Sequence, residues 1–423
     1  MSQPAIPFDP SCMDEYDPNS LPVDEALRRI DAGANPISGT ERVALRASLG
    51  RVLAQSVLTP IDVPLHTNSA MDGYAVSGAA LPGAQPIEMK VVGTSWAGRP
   101  YAGSVAPGEA VRIMTGGVMP DGTDTVVIQE RASVNGHTIG FAGDAARAGD
   151  NVRAAGEDMA AGSIVLETGS RIGPAELGML ASVGIVEVTV RRRLRVAFFS
   201  TGDELRSLGE SLEPGSVYDS NRYTLFGMLT RLGAEIIDMG VVPDTRDAVQ
   251  LAFGEASAYA DAVITSGGVS VGEADFVKET LESQGEVNFW KIAMKPGRPL
   301  AFGHVSDAVF FGLPGNPVSV MVTYYQFVQP ALRRMMGERE TRPPRMHVRT
   351  SVPLKKRSGR VEFQRGVLKS TPDGTMTVES TGEQGSGILS SMHAANCFII
   401  LPMENDGVGA GELVEVEPFH GVM

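Results

Sequence analysis

From Leu194 onward the hydrophobic and polar positions alternate in long, regular blocks. LRVAFFS is a mainly apolar run of strand length, and NRYTLFGMLTRLG carries apolar residues at helical spacing until Gly233 stops it. AEIIDMGVV then predicts a strand, TRDAVQLAFGEASAY a helix, DAVITS a buried strand and FVKETLE the next helix. AVFFGLPG supplies another strand ahead of PVSVMVTYYQFVQPALRRMM. Such alternation predicts a doubly wound, mainly parallel sheet covered on both faces.

The rhythm differs elsewhere. A helix is expected from near Val23, with Ala26, Leu27 and Ile30 on one face, and a second over Glu41 to Leu53. From Leu58 to about Ala142 the chain changes to short apolar stretches broken by Gly and Pro, among them VVGTSWAG, AVRIMTGG and DTVVIQE, which read as strands and turns. GSRIGPAELGMLASVG returns to a helical pattern, so the β-rich part reads as an insertion into an α-containing one. Pro343 and Pro344 mark a linker, and RMHVRTSV, RVEFQRGVL, TMTVES, NCFIILP and ELVEVEP read as short strands of a small β domain. The expected organisation is α/β and multidomain. A disordered acidic arm spans 1–20, an α-containing linking domain 21–60 and 143–192, an inserted β-rich domain 61–142, the central α/β domain 193–340 and a C-terminal β domain 341–423.

Composition narrows the function classes. At 423 residues, a count of two to four domains follows from about 100–200 residues each. A formal net charge of −14 argues against broad binding of nucleic acid or anionic membrane, and the C-terminal domain carries no acid excess. Any anionic ligand must therefore be held by locally gathered Lys, Arg and N–H groups. Cys12 and Cys397 are too few for a disulfide framework or a cysteine-rich metal site, which fits a reducing cytoplasm. The sequence opens without a signal-peptide pattern and holds no run of 18 apolar residues, so a soluble cytoplasmic protein is expected.

The chemistry gathers in TSGGVSVGEADFVK, Thr265 to Lys278, and KIAMKPGRP, Lys291 to Pro299. Gly267, Gly268 and Gly272 follow a strand and precede a helix, where glycine backbone lets an anion approach the main chain. The same pattern also suits a plain tight turn. The Walker pattern GxxxxGK[ST] is absent, which removes ordinary NTP hydrolysis. Asp203 and Glu204 in STGDEL lie just past a strand, at the edge where open α/β sheets bind ligands. There they fit oxygen ligands of a Mg²⁺, or, for Asp203, a helix cap. Asp244 reads as a helix cap or a site carboxylate, and Asp275 as a cap or a metal ligand. Lys291, Lys295 and Arg298 supply positive charge on a proline-stiffened turn, and Pro317 in GLPGNPVS suits a first helical position. Asp72 before Gly73 and Thr115 before two glycines fit turns as readily as a site. Arg365 and Ser386 are candidates for reaching an oxyanion from the last domain. None of the six histidines has HxH or HExxH spacing, so zinc-hydrolase chemistry loses support, as does a Ser–His–Asp triad.

In this order, NSAMDGYA, STGDEL, TSGGVSVGEADF, KPGRP and GLPGNPVS resemble the molybdopterin molybdenumtransferases, relatives of the E domains of gephyrin and of the plant molybdenum-insertion enzyme. The resemblance runs from about Pro22 to the C-terminus. It implies that adenylylated molybdopterin and molybdate give molybdenum cofactor and AMP with Mg²⁺, in an elongated homodimer of four-domain subunits whose cleft lies between subunits. By motif match it implies catalytic positions at Asp72, Thr115, Asp158 in AAGEDM, Glu204, Asp244, Asp275, Lys291 and Lys295. Substrate-binding positions are implied at Gly267, Gly268, Ser270, Arg298, Pro314, Pro317, Arg365 and Ser386, and metal ligands at Glu204 and Asp275. The family's second cation in KPG[KR]P is Arg298 here, which keeps the charge and changes the donor geometry. Two other readings remain open from sequence, a molybdopterin adenylyltransferase and a non-catalytic molybdopterin-binding scaffold. Expected partners are a second copy, the adenylyltransferase and molybdoenzyme maturation proteins, with no nucleic acid and no membrane.

Overall fold

The computed structural model describes residues 19–81, 83, 85–142, 144–268 and 276–419. Ser270, Gly272, Asp275 and most of the acidic arm therefore lie outside the described residues. The chain forms two compact units, residues 42–190 and the remainder. It opens with α1, Val23–Gly33, which buries Val23, Ala26, Leu27 and Ile30 as their spacing requires.

In the unit of residues 42–190, a six-stranded sheet runs in the order Thr125–Ile128, Gly73–Val76, Glu109–Ile113, Pro86–Ser95, Thr138–Ala142, Ser133–Asn135. Tyr74, Val76, Met89, Val127, Ile139 and Phe141 form its core. Helix α2, Pro174–Ser182, starts with Pro at its first turn, and the Glu176 carboxylate accepts the Gly173 N–H at 2.9 Å. The helix expected over Glu41 to Leu53 is not formed. Thr40–Ala44 is a strand and Leu45–Ser48 a single 3₁₀ turn. Gly50 takes φ +74°, and the next backbone groups pair elsewhere: Gly50 N–H donates to Ile172 O at 2.7 Å and Leu53 N–H to Ser170 O at 3.0 Å. Tertiary pairing overrides the helical spacing there.

The other unit holds a six-stranded sheet in the order Glu235–Val242, Arg195–Thr201, Ala262–Ser266, Ala308–Leu313, Pro299–Val305, Gly285–Lys291. The first four strands are mutually parallel, Pro299–Val305 runs against them, and Gly285–Lys291 pairs antiparallel with Pro299–Val305 and so runs with the first four. Helices α3 (Ser220–Leu232), α4 (Arg246–Tyr259), α5 (Phe276–Gln284), α6 (Pro317–Thr323) and α7 (Gln329–Met335) complete this part. Helix α3 packs on α6 and α4 on α5. On the α4–α5 face, Phe199, Phe253 and Phe310 meet edge to face, with ring centres 5.2 and 5.5 Å apart. All three are fully buried, and each contributes about 1.5–3 kcal/mol relative to an exposed ring. Between α6 and α7, Tyr324–Val328 widens into a π turn. Pro330 follows without an N–H to give, and the widened turn takes up that loss.

The last strands close into a barrel. Val361–Ser370, Met376–Ser380, Met346–Thr350, Leu413–Pro418 and Cys397–Leu401 pair in a ring, the last returning to the first, and α8, Leu389–Ala394, precedes Cys397–Leu401. Met294–Lys295 adds to this barrel, pairing in parallel with Val361 and Glu362. The segment with the KPGRP sequence is thus tied both to the α/β sheet, through Lys291 opposite Pro299, and to the barrel. Among the described residues no helix is long and apolar enough to cross a membrane.

Candidate functional site

A cleft of about 840 Å³ opens beyond the carboxyl ends of the parallel strands. Its floor is glycine for steric reasons. Gly267 has φ +91° and Gly268 φ +67°, which side chains rarely adopt. A Cβ on Gly267 would come within 2.5 Å of the Thr201 carbonyl oxygen, and one on Gly268 within 2.6 Å of Val277 Cγ2. Gly267 N–H donates to Leu313 O at 3.1 Å, so the loop is pinned between neighbouring strands. Gly297, at φ +91°, lies against Thr323, where a Cβ would meet Oγ1 at 2.5 Å. The KPGRP turn is therefore seated directly on α6.

Three carboxylates line the same cleft, Glu204, Asp219 and Asp244. Glu204 folds back over Gly202, whose added Cβ would meet Glu204 Oε2 at 2.5 Å. The capping alternatives are not realised. Asp203 precedes the short strand Leu205–Arg206, and the cap position of α4 is Thr245, with no side-chain cap bond. Burial pushes the Asp244 carboxyl above the usual carboxylate range, with the negative charges of Asp203 and Glu204 adding to the rise. Such mutual repulsion is what a bound cation relieves. Among the described residues no group of three or more His, Cys, Asp or Glu is arranged to hold a metal ion, and Glu204, Asp219 and Asp244 are the described carboxylates that a cation in the cleft could meet.

The opposite charge comes from Lys295, Arg298 and Arg360, which line the cleft with Ser319, Gln384 and Ser386. Pro314 and Pro317 flank the Gly315–Asn316 turn beside them, and Pro317 occupies the first position of α6. The Ser386 carbonyl accepts Val318 N–H at 3.1 Å, which fastens the barrel loop to the start of that helix. A cleft with carboxylates, cations and glycine backbone on its walls can hold a polyanion and a divalent cation together.

Several expected positions lie elsewhere. Lys291 is exposed and does not line the cleft. Arg365 is 1% exposed inside the barrel, where its guanidinium donates to Ser391 Oγ at 3.0 Å and Gly385 O at 3.1 Å; burial lowers its pKa to about 10. It thereby steadies the loop leading to Ser386. In the unit of residues 42–190, the Asp72 carboxylate accepts the Thr115 N–H at 2.7 Å and hydroxyl at 2.8 Å. These bonds hold its pKa below the usual value, the backbone N–H foremost. Asp158 is exposed, its N–H donating to Val63 O at 2.9 Å. Asp219, Asn221, Arg360 and Gln384 line the cleft without having been picked out in the sequence. The VYDSN segment before an apolar helix signals the first two. Nothing local distinguishes Arg360 or Gln384, which the barrel brings in from far along the chain.

The chain matches three family descriptions in succession. These are the MoeA N-terminal region (domain I and II) at residues 21–184, the probable molybdopterin binding domain at 197–334, and the MoeA C-terminal region (domain IV) at 347–419. It is 46% identical to the molybdopterin molybdenumtransferase of Haemophilus influenzae, over 91% of this chain and 95% of that protein. It is 31% identical to gephyrin of Dictyostelium discoideum, over 94% of this chain and 62% of that protein. The crystal structure of a molybdopterin biosynthesis moeA protein from Pyrococcus horikoshii superposes with a TM-score of 0.82 at 29% identity, covering 95% of this chain and all of that one. The three family matches fall in order along the chain, one of them on the strands and helices that build the cleft and the last on the barrel that closes it, and the chain belongs to the molybdopterin molybdenumtransferase family.

Proposed function

We propose that this enzyme inserts molybdenum, taking molybdate and adenylylated molybdopterin to molybdenum cofactor and AMP in a Mg²⁺-dependent reaction. The observation that carries this is the meeting of Glu204 and Asp244 with Lys295, Arg298 and Arg360 on one cleft floored by Gly267 and Gly268. Lys295 and Arg298 hold the tetrahedral oxyanion, a planar guanidinium and an ammonium together offering donors in several directions. Arg360 and Ser386 bound the same end. Arg365 acts from behind, keeping the Gly385–Ser386 backbone in place. Glu204 and Asp244 would hold the Mg²⁺, with Asp275 as a further ligand; when bound, the ion neutralises charge on the pyrophosphate. A molybdate oxygen or water attacks the molybdopterin phosphorus of the phosphoanhydride, one P–O bond forming as the other breaks and AMP departs as the leaving group. Positioning and fixed charge supply most of the acceleration, as in phosphoryl transfer generally.

Purified protein given adenylylated molybdopterin, Mg²⁺ and molybdate should release AMP; release no faster than in protein-free buffer would overturn the proposal. Asp275→Asn should slow turnover at least tenfold, and unchanged turnover would remove Asp275 from the ligand set. We also propose that the enzyme works as a homodimer. Tyr223 and Phe226, 49% and 48% exposed on one face of α3, give it apolar surface to bury. Sedimentation should give twice the chain mass.

A further inference from the structure

Two acceptor oxygens stand unused at the start of α3. Asp219 is 3% exposed and Asn221 9% exposed, and both line the cleft. The architecture consumes one end of each side chain. Asp219 Oδ1 accepts the Arg222 N–H at 3.1 Å and so caps the helix. The Asn221 amide donates to Gly315 O at 2.7 Å and to Ser266 Oγ at 2.8 Å. A carbonyl can only accept, so the Gly315 contact settles which end of the amide is nitrogen. What remains is Asp219 Oδ2 and Asn221 Oδ1, neither with a hydrogen-bond partner among the described residues, with Thr201 Oγ1 in the same condition on the same cleft. Folded proteins pair nearly all such buried atoms, so a cluster of unpaired ones on a ligand cleft points to the ligand. The oxyanion is the wrong partner: a carboxylate repels it, and an amide oxygen has no proton to donate. Such acceptor oxygens suit either the divalent cation, for which Glu204 and Asp244 line the same cleft, or N–H and O–H groups on an uncharged part of the substrate.

Resting on the molybdenum-insertion reading, we propose that Asp219 and Asn221 form the subsite that reads the 2-amino-4-oxo edge of the pterin ring. That edge presents a ring N–H beside an amino group, two donors for two acceptors. The amidine edge of adenine presents one donor and one acceptor, a poorer match. The ribose hydroxyls of the AMP half are a competing pair of donors, and the experiment separates the two. Asp219→Asn keeps the helix cap and the side-chain shape while exchanging an acceptor oxygen for an NH₂ donor. Asp219→Ser also caps and removes the acceptor outright. Equilibrium binding of molybdopterin and of AMP, each alone and without oxygen, is measured on the full-length variants. The expected result for both variants is a loss of molybdopterin affinity of at least tenfold with AMP affinity held within twofold. Weakened AMP binding with molybdopterin unaffected would assign the acceptors to the ribose and overturn the proposal. Equal losses for both ligands, or no loss for either, would overturn it as well. Binding is read without turnover, so a wild-type protein that binds molybdopterin but releases no AMP would sink the insertion reading and leave this one standing.

Discussion

Asp72 and Asp244 are both aspartates just outside the end of a strand, and their surroundings treat them in opposite ways. Thr115 gives the Asp72 carboxylate a backbone N–H and a hydroxyl, and its pKa falls. Asp244 has burial and two like charges around it, and its pKa rises. The first charge is satisfied by its own fold, whereas the second is held at a cost that a ligand would remove. A carboxylate kept unstable in a cleft lined with cations marks where a protein spends stability on function.

The sharpest way to break the comparison is through activity. Lys295→Met removes a cation from the oxyanion end and should slow AMP release by about 100-fold, the scale of losing one fixed electrostatic contact. Melting should be nearly unchanged, and an intact rate would detach the cleft from the chemistry. Next comes Gly267→Ala, which forces a Cβ against the Thr201 carbonyl at positive φ and should cost about 1–3 kcal/mol or more in denaturant unfolding. An equal cost at solvent-facing Gly83 would show that φ alone is responsible, since nothing lies near a Cβ there.

Asp244→Asn tests the strained charge itself. A raised carboxyl destabilises the fold when ionised, so the variant should melt about 1–3 °C higher at pH 7. That gain should fade as the pH falls through the carboxylate range and the wild-type group takes its proton. Mg²⁺ should raise the wild-type melting temperature at pH 7 and do so less in this variant; an equal response would place the cation elsewhere. Asp72→Asn should behave oppositely, lowering stability at pH 7 and converging on wild type below the usual carboxylate pKa. The smallest effect belongs to Thr115→Ala, which leaves the backbone N–H in place. Carboxyl NMR should show the Asp72 pKa rising partway to its ordinary value.

Much of the α/β part was legible because its signals are local. Gly233 ends α3 with φ +87°, and the apolar runs LRVAFFS and DAVITS form adjacent parallel strands. The segments that failed depend on distant partners. Val52 and Leu53 sit at helical spacing, yet their backbone pairs with residues far along the chain. The strands Gly285–Lys291 and Pro299–Val305, not picked out in the sequence, extend the sheet by antiparallel pairing, and Pro299–Val305 runs against the four parallel strands, a direction that strand–helix alternation does not anticipate. At the site, the glycines and the KPGRP cations announced themselves by motif. Asp219 was hidden because an aspartate before a helix is an ordinary cap, and its second oxygen becomes informative only when burial is known. Arg360 and Gln384 reach the cleft through barrel closure, which no short window of sequence encodes.

The parallel pairing of Met294 and Lys295 with Val361 and Glu362 has a consequence for how this chain can be cut and recombined. A fragment ending near residue 340 would keep the six-stranded sheet and its helices but leave Met294–Lys295 as a raw edge, with the Ala293 carbonyl deprived of the Val361 N–H it now accepts at 2.9 Å. The barrel is therefore no detachable appendage: the KPGRP cations share a seam with it, and grafting in a foreign C-terminal domain would move the charges as well as the boundary.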